Sequence, residues 1–247
     1  MKNKNWLSVA VVVGILLLWQ GVAMIINAHY ILPSPIQIVK KIWELKENLF
    51  LVQMPATLKV TVIGLAISIV LGLGLAVWMD ECPALEKALY PVIVATQTIP
   101  TTAIAPLFVL WFGYSIWSKV LVTVLMTFFP IAITVFDGFK STKREMEELL
   151  TTYGASKRDL FWKLKLPTAL PSFFSAIKMA IPLSVIGAAI AEWLGAQEGL
   201  GYFSKRMMTQ LDGAGVFAPI VILSAIAMLT VFIITKIEEK WITWRKD

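Results

Sequence analysis

The sequence predicts an all-α, polytopic membrane protein with six transmembrane helices, and three observations carry the prediction. Of the 247 residues, 58% are hydrophobic and only 15% are charged, whereas soluble domains run at roughly 45–50% apolar and about 25% charged. Mean hydropathy is +0.76. The apolar residues fall in runs of roughly 20, the length a helix needs to cross a hydrocarbon core of about 30 Å. No internal repeat or low-complexity tract divides the chain. Residues 1–247 therefore read as one transmembrane domain, with core spans over about 56–237.

The first run, Trp6–Ile26, follows Lys2 and Lys4 as a signal peptide would. It is longer than an h-region and no small-residue cleavage site follows, so it reads as a retained span. His29, just beyond, has no second imidazole with which to share a metal and reads as an interfacial residue. In Leu32–Leu45 two prolines precede Ile36, Val39, Ile42 and Leu45, which predicts an amphipathic helix on the outer surface. The second span is Ala56–Met79. Its GLGLAV (Gly72–Val77) lies at membrane depth, where spaced glycines serve close helix packing. A polar hinge, Asp80–Lys87, leads to the third span, Ala88–Phe112.

That third span carries Pro91, Pro100 and Pro106 beside Gln97, Thr98, Thr101 and Thr102. It reads either as a kinked helix whose threonines bond their own backbone, or as the lining of a watery pathway, where freed carbonyls are tolerated. On the second reading Pro130 of the fourth span (Trp117–Phe139) and Pro182 and Ser184 of the fifth (Ser172–Leu194) join it. The outer loop Gly195–Gly215 is glycine-rich and polar, and the sixth span is Val216–Ile237.

The net charge of +6 is placed for topology and not for nucleic acid, because Lys and Arg gather at the ends of the apolar runs. With the N-terminus inside, the inner segments hold fourteen of them, seven between Lys140 and Lys165, and the outer segments hold six. That excess predicts both termini in the cytoplasm. Trp6, Trp78, Trp241 and Trp244 then mark the inner interface, and Trp111, Trp117 and Trp193 the outer one.

Catalytic signatures are missing from the sequence. It has no phosphate-loop motif, no H-E-x-x-H and no G-x-S-x-G, and its one cysteine, Cys82, can form no internal disulfide. An intramembrane enzyme would need paired carboxylates or a nucleophile with a base at membrane depth. The acids within spans, Asp137 and Glu192, lie singly near opposite ends. An ion-coupled carrier would place such groups near the midplane, so a structural or gating role fits both better. Uphill transport would draw its energy from another subunit or from an ion gradient.

The inner segment of about 140–170 is a charged island, EELLTTYGASKRDLFWKLKLPTALP (Glu147–Pro171). Thr142 and Glu145 match a capping box, and Ser156 and Asp159 a second. Gly154 is placed to end the first helix, Pro167 to stop the second, and Pro171 to open the fifth span. The prediction is a rigid helix–turn–helix in the cytoplasm.

This island resembles the cytoplasmic loop of the permease subunits of binding-protein-dependent ABC importers. That loop reads E-A-A-x-x-x-G and, after nine intervening residues, I-x-L-P. Here the match is Glu148, Leu149, Leu150, Gly154 (followed by Ala155), then Leu164, Leu166 and Pro167, with leucines in place of both alanines. LPSP after the first span, TQTIPTTAIAPLFVLWFG in the third and AEWLGAQEGLGY after the fifth are similar to the branch that imports nitrate, taurine, aliphatic sulfonates and thiamine-precursor pyrimidines. The resemblance implies a type I importer permease fold in the bacterial inner membrane, with the island as the coupling helix. It further implies a second permease copy in a homodimer, two ATPase subunits that hold the ATP and Mg, and a solute-binding protein. The chain itself would bind no cofactor. The pathway would be lined by Gln97, Pro100, Thr101, Thr102, Ser184 and Glu192, and the WLGAQEGLGYF region inclines towards a pyrimidine as the solute.

Overall fold

The computed structural model describes residues 5–26, 28 and 30–244, and every regular element among them is helical. His29 and the terminal charges Lys2, Lys4, Arg245 and Lys246 lie outside the described residues. The elements are α1 (Asn5–Ile26), α2 (Pro35–Glu44), a π-helical segment (Asn48–Gln53) continuous with α3 (Met54–Glu81), α4 (Pro83–Thr96), α5 (Thr101–Phe112), α6 (Ile116–Lys140), α7 (Arg144–Thr152), α8 (Lys157–Leu160), a π-helical turn (Phe161–Lys165), α9 (Leu166–Gly195), α10 (Leu200–Thr209) and α11 (Gly213–Trp241). Five stretches are long and apolar enough to cross a membrane, or six if α4 and α5 form one broken span.

The central helix is α6, packed between α3 and α9. Small residues let the backbones approach. A Cβ on Gly64 would stand 2.6 Å from Thr123 Cγ2, one on Gly72 2.8 Å from Ile131 Cγ2, and one on Gly138 2.6 Å from Ser172 Cβ. Lipid tails are as apolar as leucine, so such close packing, and not water exclusion, holds spans together. Ser68 and Thr127 add a 2.6 Å hydrogen bond between α3 and α6. The packing reading of Gly72 holds, while Gly74 faces open space. Around these contacts Ala76, Met79, Ile131, Val135, Phe139 and Ala176 form the main core. α1 stands mostly exposed, with Trp19 tilted against Phe217 of α11 at 5.9 Å between ring centroids.

The polar hinge narrows to one residue, and the third span is corrected. α3 ends at Glu81, α4 starts at Pro83, and Cys82 alone is extended at φ −125°, ψ 98°. The third span is not one kinked helix, for α4 and α5 meet at 95°. Gln97, Thr98 and Ile99 close α4 with tight bonds to Val94, Ala95 and Thr96. Pro100, with ψ 115°, then restarts the chain as α5. Proline disfavours helical backbone in the residue before it, which sets the break at Ile99.

At the end opposite the α7–α8 hairpin, α2 lies across the bundle. Its Ser34 cap is a full capping box, with Gln37 N–H to Ser34 Oγ at 3.3 Å and Ser34 N–H to Gln37 Oε1 at 2.8 Å. The inward stripe is Ile38, Ile42 and Leu45, whereas Ile36 and Val39 are 56% and 66% exposed. The three-residue period expected from sequence drifts off the face of a 3.6-residue helix, and the i, i+4, i+7 set replaces it. The expected polar loop Gly195–Gly215 contains α10, whose Leu200, Phe203 and Met207 are buried against Leu49 and Ile222.

Lys41 of α2 pairs with Asp212, the cap of α11, at 2.8 Å. Burial pushes the Asp212 carboxyl up, but the Lys41 ammonium and the Gly215 N–H together outweigh it and hold it below its ordinary value. A depressed carboxylate adds stability that is full above its unfolded pKa, near 3.9, and is lost as the pH falls through its lower folded value. Asp212→Asn is expected to cost about 1 kcal/mol at pH 7, read as a lower Tm in detergent. The gap to wild type should narrow as the pH falls below about 4 and close below the lowered folded pKa. Equal melting at pH 7 would mean that the pair does not hold α2 in place.

Candidate functional site

The hairpin is built by caps, one of which differs from the expected one. α7 starts at Arg144 with Lys143 as its N-cap and no side-chain cap, while Thr142 Oγ1 is buried without a partner. The box expected from Thr142 and Glu145 is therefore absent. The far end is as expected. Gly154 has φ +84°, Ala155 N–H reaches Leu150 O at 3.0 Å, and Gly154 N–H reaches Thr151 O at 2.9 Å. Those two bonds are a Schellman motif, which needs a left-handed residue at the glycine. The second box also forms, with Asp159 N–H to Ser156 Oγ at 3.1 Å and Ser156 N–H to Asp159 Oδ2 at 3.3 Å.

Neither Pro167 nor Pro171 interrupts the chain beyond the turn. Lys157–Gly195 is one continuous helical stretch of 39 residues. Pro167 comes just after the π-helical turn, in which Leu166 N–H bonds Phe161 O. The wider turn clears the carbonyl a proline ring would otherwise strike, and the Thr168 hydroxyl occupies Leu164 O at 2.7 Å. The hairpin's second arm is thus the root of α9. Leu164, Leu166 and Pro167 are half-buried in it, and Phe161 rests on Phe139 of α6 at 5.7 Å.

α7 buries no residue. Met146, Leu149 and Tyr153, at i, i+3 and i+7, share one face and are 45%, 48% and 79% exposed. Leu150 is half-buried, and its carbonyl serves the Schellman turn. Glu148 pairs with Arg144 one turn back at 2.8 Å. Its neighbour Glu147 turns to Lys165, a contact the sequence pattern does not single out.

The break between α4 and α5 brings Gln97 and Thr101 into a cavity of about 300 Å³ with Ile99, Leu125, Phe129 and Pro130. Pro100 and Thr102 are exposed beside it. Ser184 does not join them. It is fully buried, and its hydroxyl donates to Ile181 O at 2.7 Å. Asp137 is exposed on α6.

Glu192 sits apart from that cavity, 1% exposed, near the end of α9. Its Oε2 accepts from Gly201 N–H at 2.8 Å and from the Thr57 hydroxyl at 3.1 Å, and its Oε1 has no partner. Thr57 Oγ1 takes Leu200 N–H and Gln53 Oε1 takes Gly199 N–H, both at 2.8 Å. These amides open α10, where helix N–H groups lack partners of their own. Gln53 and Thr57 escape the sequence reading, although their i, i+4 spacing in an apolar run puts two polar groups on one face. Among the described residues no cluster of three or more His, Cys, Asp or Glu could hold a metal.

The structure is thus a membrane bundle with one polar broken span and a capped hairpin that roots in a crossing helix and opens an apolar face outward. The chain belongs to the family of binding-protein-dependent transport system inner membrane components, whose model matches residues 68–243. It is 56% identical over 232 residues to the formylaminopyrimidine transport permease protein ThiX of Halalkalibacterium halodurans, covering 94% of this chain and 93% of that one. It is 31% identical over 245 residues to the riboflavin transport system permease protein RibX of Chloroflexus aurantiacus, covering 97% and 91%. The crystal structure of an amino acid ABC transporter shares the fold, with a TM-score of 0.52 at 18% identity over 78% of this chain and 92% of that one. The chain is an ABC importer permease of the inner membrane, not an enzyme, and it works with an ATPase subunit and a solute-binding protein.

Proposed function

We propose that this permease acts as a homodimer on two ATPase subunits, with the α7–α8 hairpin as the coupling element. The observation that carries this reading is the open face of Met146, Leu149 and Tyr153 on a helix that buries nothing against its own chain. An apolar face held at a fixed angle fits a cleft on a partner. The excess of Lys and Arg at this end supports a cytoplasmic hairpin and cytoplasmic termini. Leu149 meets the ATPase where relatives of this loop carry alanine. Leu150 faces inward and tightens the turn.

ATP binding by the partner closes the two ATPases, the hairpins move with them, and α9 turns because it is the same helix. The solute crosses at the break in the third span, over Gln97, Pro100, Thr101 and Thr102. Ser184 and Glu192 support the bundle and do not face the solute.

The solute is a formylated aminopyrimidine. The relatives ThiX and RibX are both permeases for nitrogen heterocycles, and neutral hydrogen-bonding groups such as Gln97 and Thr101 suit such a ring better than a sulfonate. The test is uptake by proteoliposomes holding permease, ATPase and binding protein. Labelled formylaminopyrimidine should accumulate with ATP, and excess unlabelled taurine or nitrate should not compete. Competition by taurine would assign the importer to sulfonates.

A further inference from the structure

Lys165, the last residue of the π-helical turn, touches two other elements. Its Nζ lies 3.2 and 3.0 Å from the two carboxylate oxygens of Asp80 on α3, and 3.7 Å from Glu147 Oε1 on α7. The side chains are 4% (Asp80), 20% (Lys165) and 34% (Glu147) exposed. A carboxylate as buried as Asp80 needs a paired cation, so that arm is firm. The Glu147 arm is longer, more exposed and weaker.

The placement matters more than the strength. Other ion pairs at this end, Lys140–Glu86 and Lys178–Glu238, join membrane helices to one another. Arg144–Glu148 stays within α7. The contact from α7 to Lys165 joins the exposed helix of the hairpin to the bundle through charge. A push on α7 reaches α9 along the backbone, through Gly154 and the π-helical turn. In the other direction it reaches α6 through residues 141–143, whereas it meets α3 through this charge contact.

We infer that Asp80, Lys165 and Glu147 form a strut that carries the movement of α7 into α3, making Lys165 a positioning residue for coupling. This rests on the reading of the hairpin as the coupling element. A π-helical turn is one of the places at which a long helix bends. With Lys165 in that turn, rotation of the hairpin draws α3 and α9 together and does not bend α9 alone. If Lys165 only neutralised Asp80, Glu147 would be an idle surface acid.

The experiment uses the reconstituted complex of permease, ATPase and binding protein, and reads the ratio of ATP hydrolysis with the binding protein to that without it. Glu147→Gln, a change at a partly exposed site, should leave the melting temperature in place and cut the ratio about fivefold, the lower range of coupling energies. Lys165→Met should cut it further, and Lys165→Arg, which keeps both arms, should restore it. If Lys165→Met does not assemble, Glu147→Gln and Asp80→Asn decide. Wild-type ratios in Glu147→Gln and Asp80→Asn, while Gly154→Pro loses its ratio, would overturn the strut and leave the coupling hairpin standing. A wild-type ratio in Gly154→Pro would remove the hairpin reading and the strut together.

Discussion

Gly154→Pro is expected to reduce import by about a hundredfold or more while the ATPase subunits go on hydrolysing ATP. Gly154 has φ +84°, and proline is locked near −65°. The substitution also removes the N–H that bonds Thr151 O and disfavours the φ −80°, ψ 7° backbone of Tyr153 before it. Each fault is local, but together they cost about 3 kcal/mol or more, which at about 1.4 kcal/mol per tenfold gives the stated loss. The turn must open, and α7 then leaves the angle at which its apolar face meets a partner. Gly154→Asn should keep most of the transport, because asparagine tolerates the left-handed region. Gly154→Ala should fall between, at a cost of about 1–2 kcal/mol. Uptake and ATP hydrolysis measured on the same proteoliposomes check the order Asn, Ala, Pro. A proline variant that transports as wild type would sink the coupling assignment.

The hairpin is legible in the sequence because its signals are local. A glycine in a fixed relation to the helix before it and a serine three residues ahead of an acid specify their own hydrogen bonds. Gly154 and Ser156–Asp159 behave as read. Pro167 misleads for a reason equally local but invisible in composition: a π-helical turn upstream makes room for it. Thr142 fails because the chain enters α7 one residue later, with Lys143 as the cap. Hydropathy reports that residues 88–112 could cross a membrane, and cannot report that they turn by 95° in doing so. Helix α10 escapes notice because glycines and charges surround its apolar i, i+3, i+7 set of Leu200, Phe203 and Met207. Its first amides are held by Glu192 nearby and by Gln53 and Thr57, which are distant in sequence.

The same contrast between local and distant partners explains which acids matter. Taken from the sequence alone, Glu192 and Asp137 are equivalent, single carboxylates near span ends. In the fold Asp137 is exposed while Glu192 is enclosed and holds two donors. A buried acceptor whose donors come from two other elements is a fastener. It sits where the chain turns from a membrane crossing into the surface helix α10.

The largest loss of stability is expected from the two glycines of that turn, in EGLGY. A Cβ on Gly201 would strike the Ala189 carbonyl oxygen and stand 2.8 Å from Ala189 Cα. Those are backbone atoms of α9 and cannot give way, so α10 must lift and expose Leu200 and Phe203, now 0% and 3% exposed. Gly201→Ala should cost about 3 kcal/mol, the upper range for an overpacked core, and appear as a much lower Tm and a poor yield of monodisperse protein in detergent. Gly199→Ala is strained for another reason. Its φ is +125°, and its Cβ would fall on the Glu192 carboxylate. Here the obstacle is a side chain, so the two substitutions part company in combination. Glu192→Ala alone strips the acceptor from Gly201 N–H and costs about 1–3 kcal/mol. Added to Gly199→Ala, however, it opens room for the new methyl group, and the double variant should be more stable than the sum of the two losses allows. The same truncation beside Gly201→Ala should simply add, because the Ala189 backbone remains in the way. If Gly199→Ala and Glu192→Ala prove additive, the carboxylate is not what fills the space over Gly199.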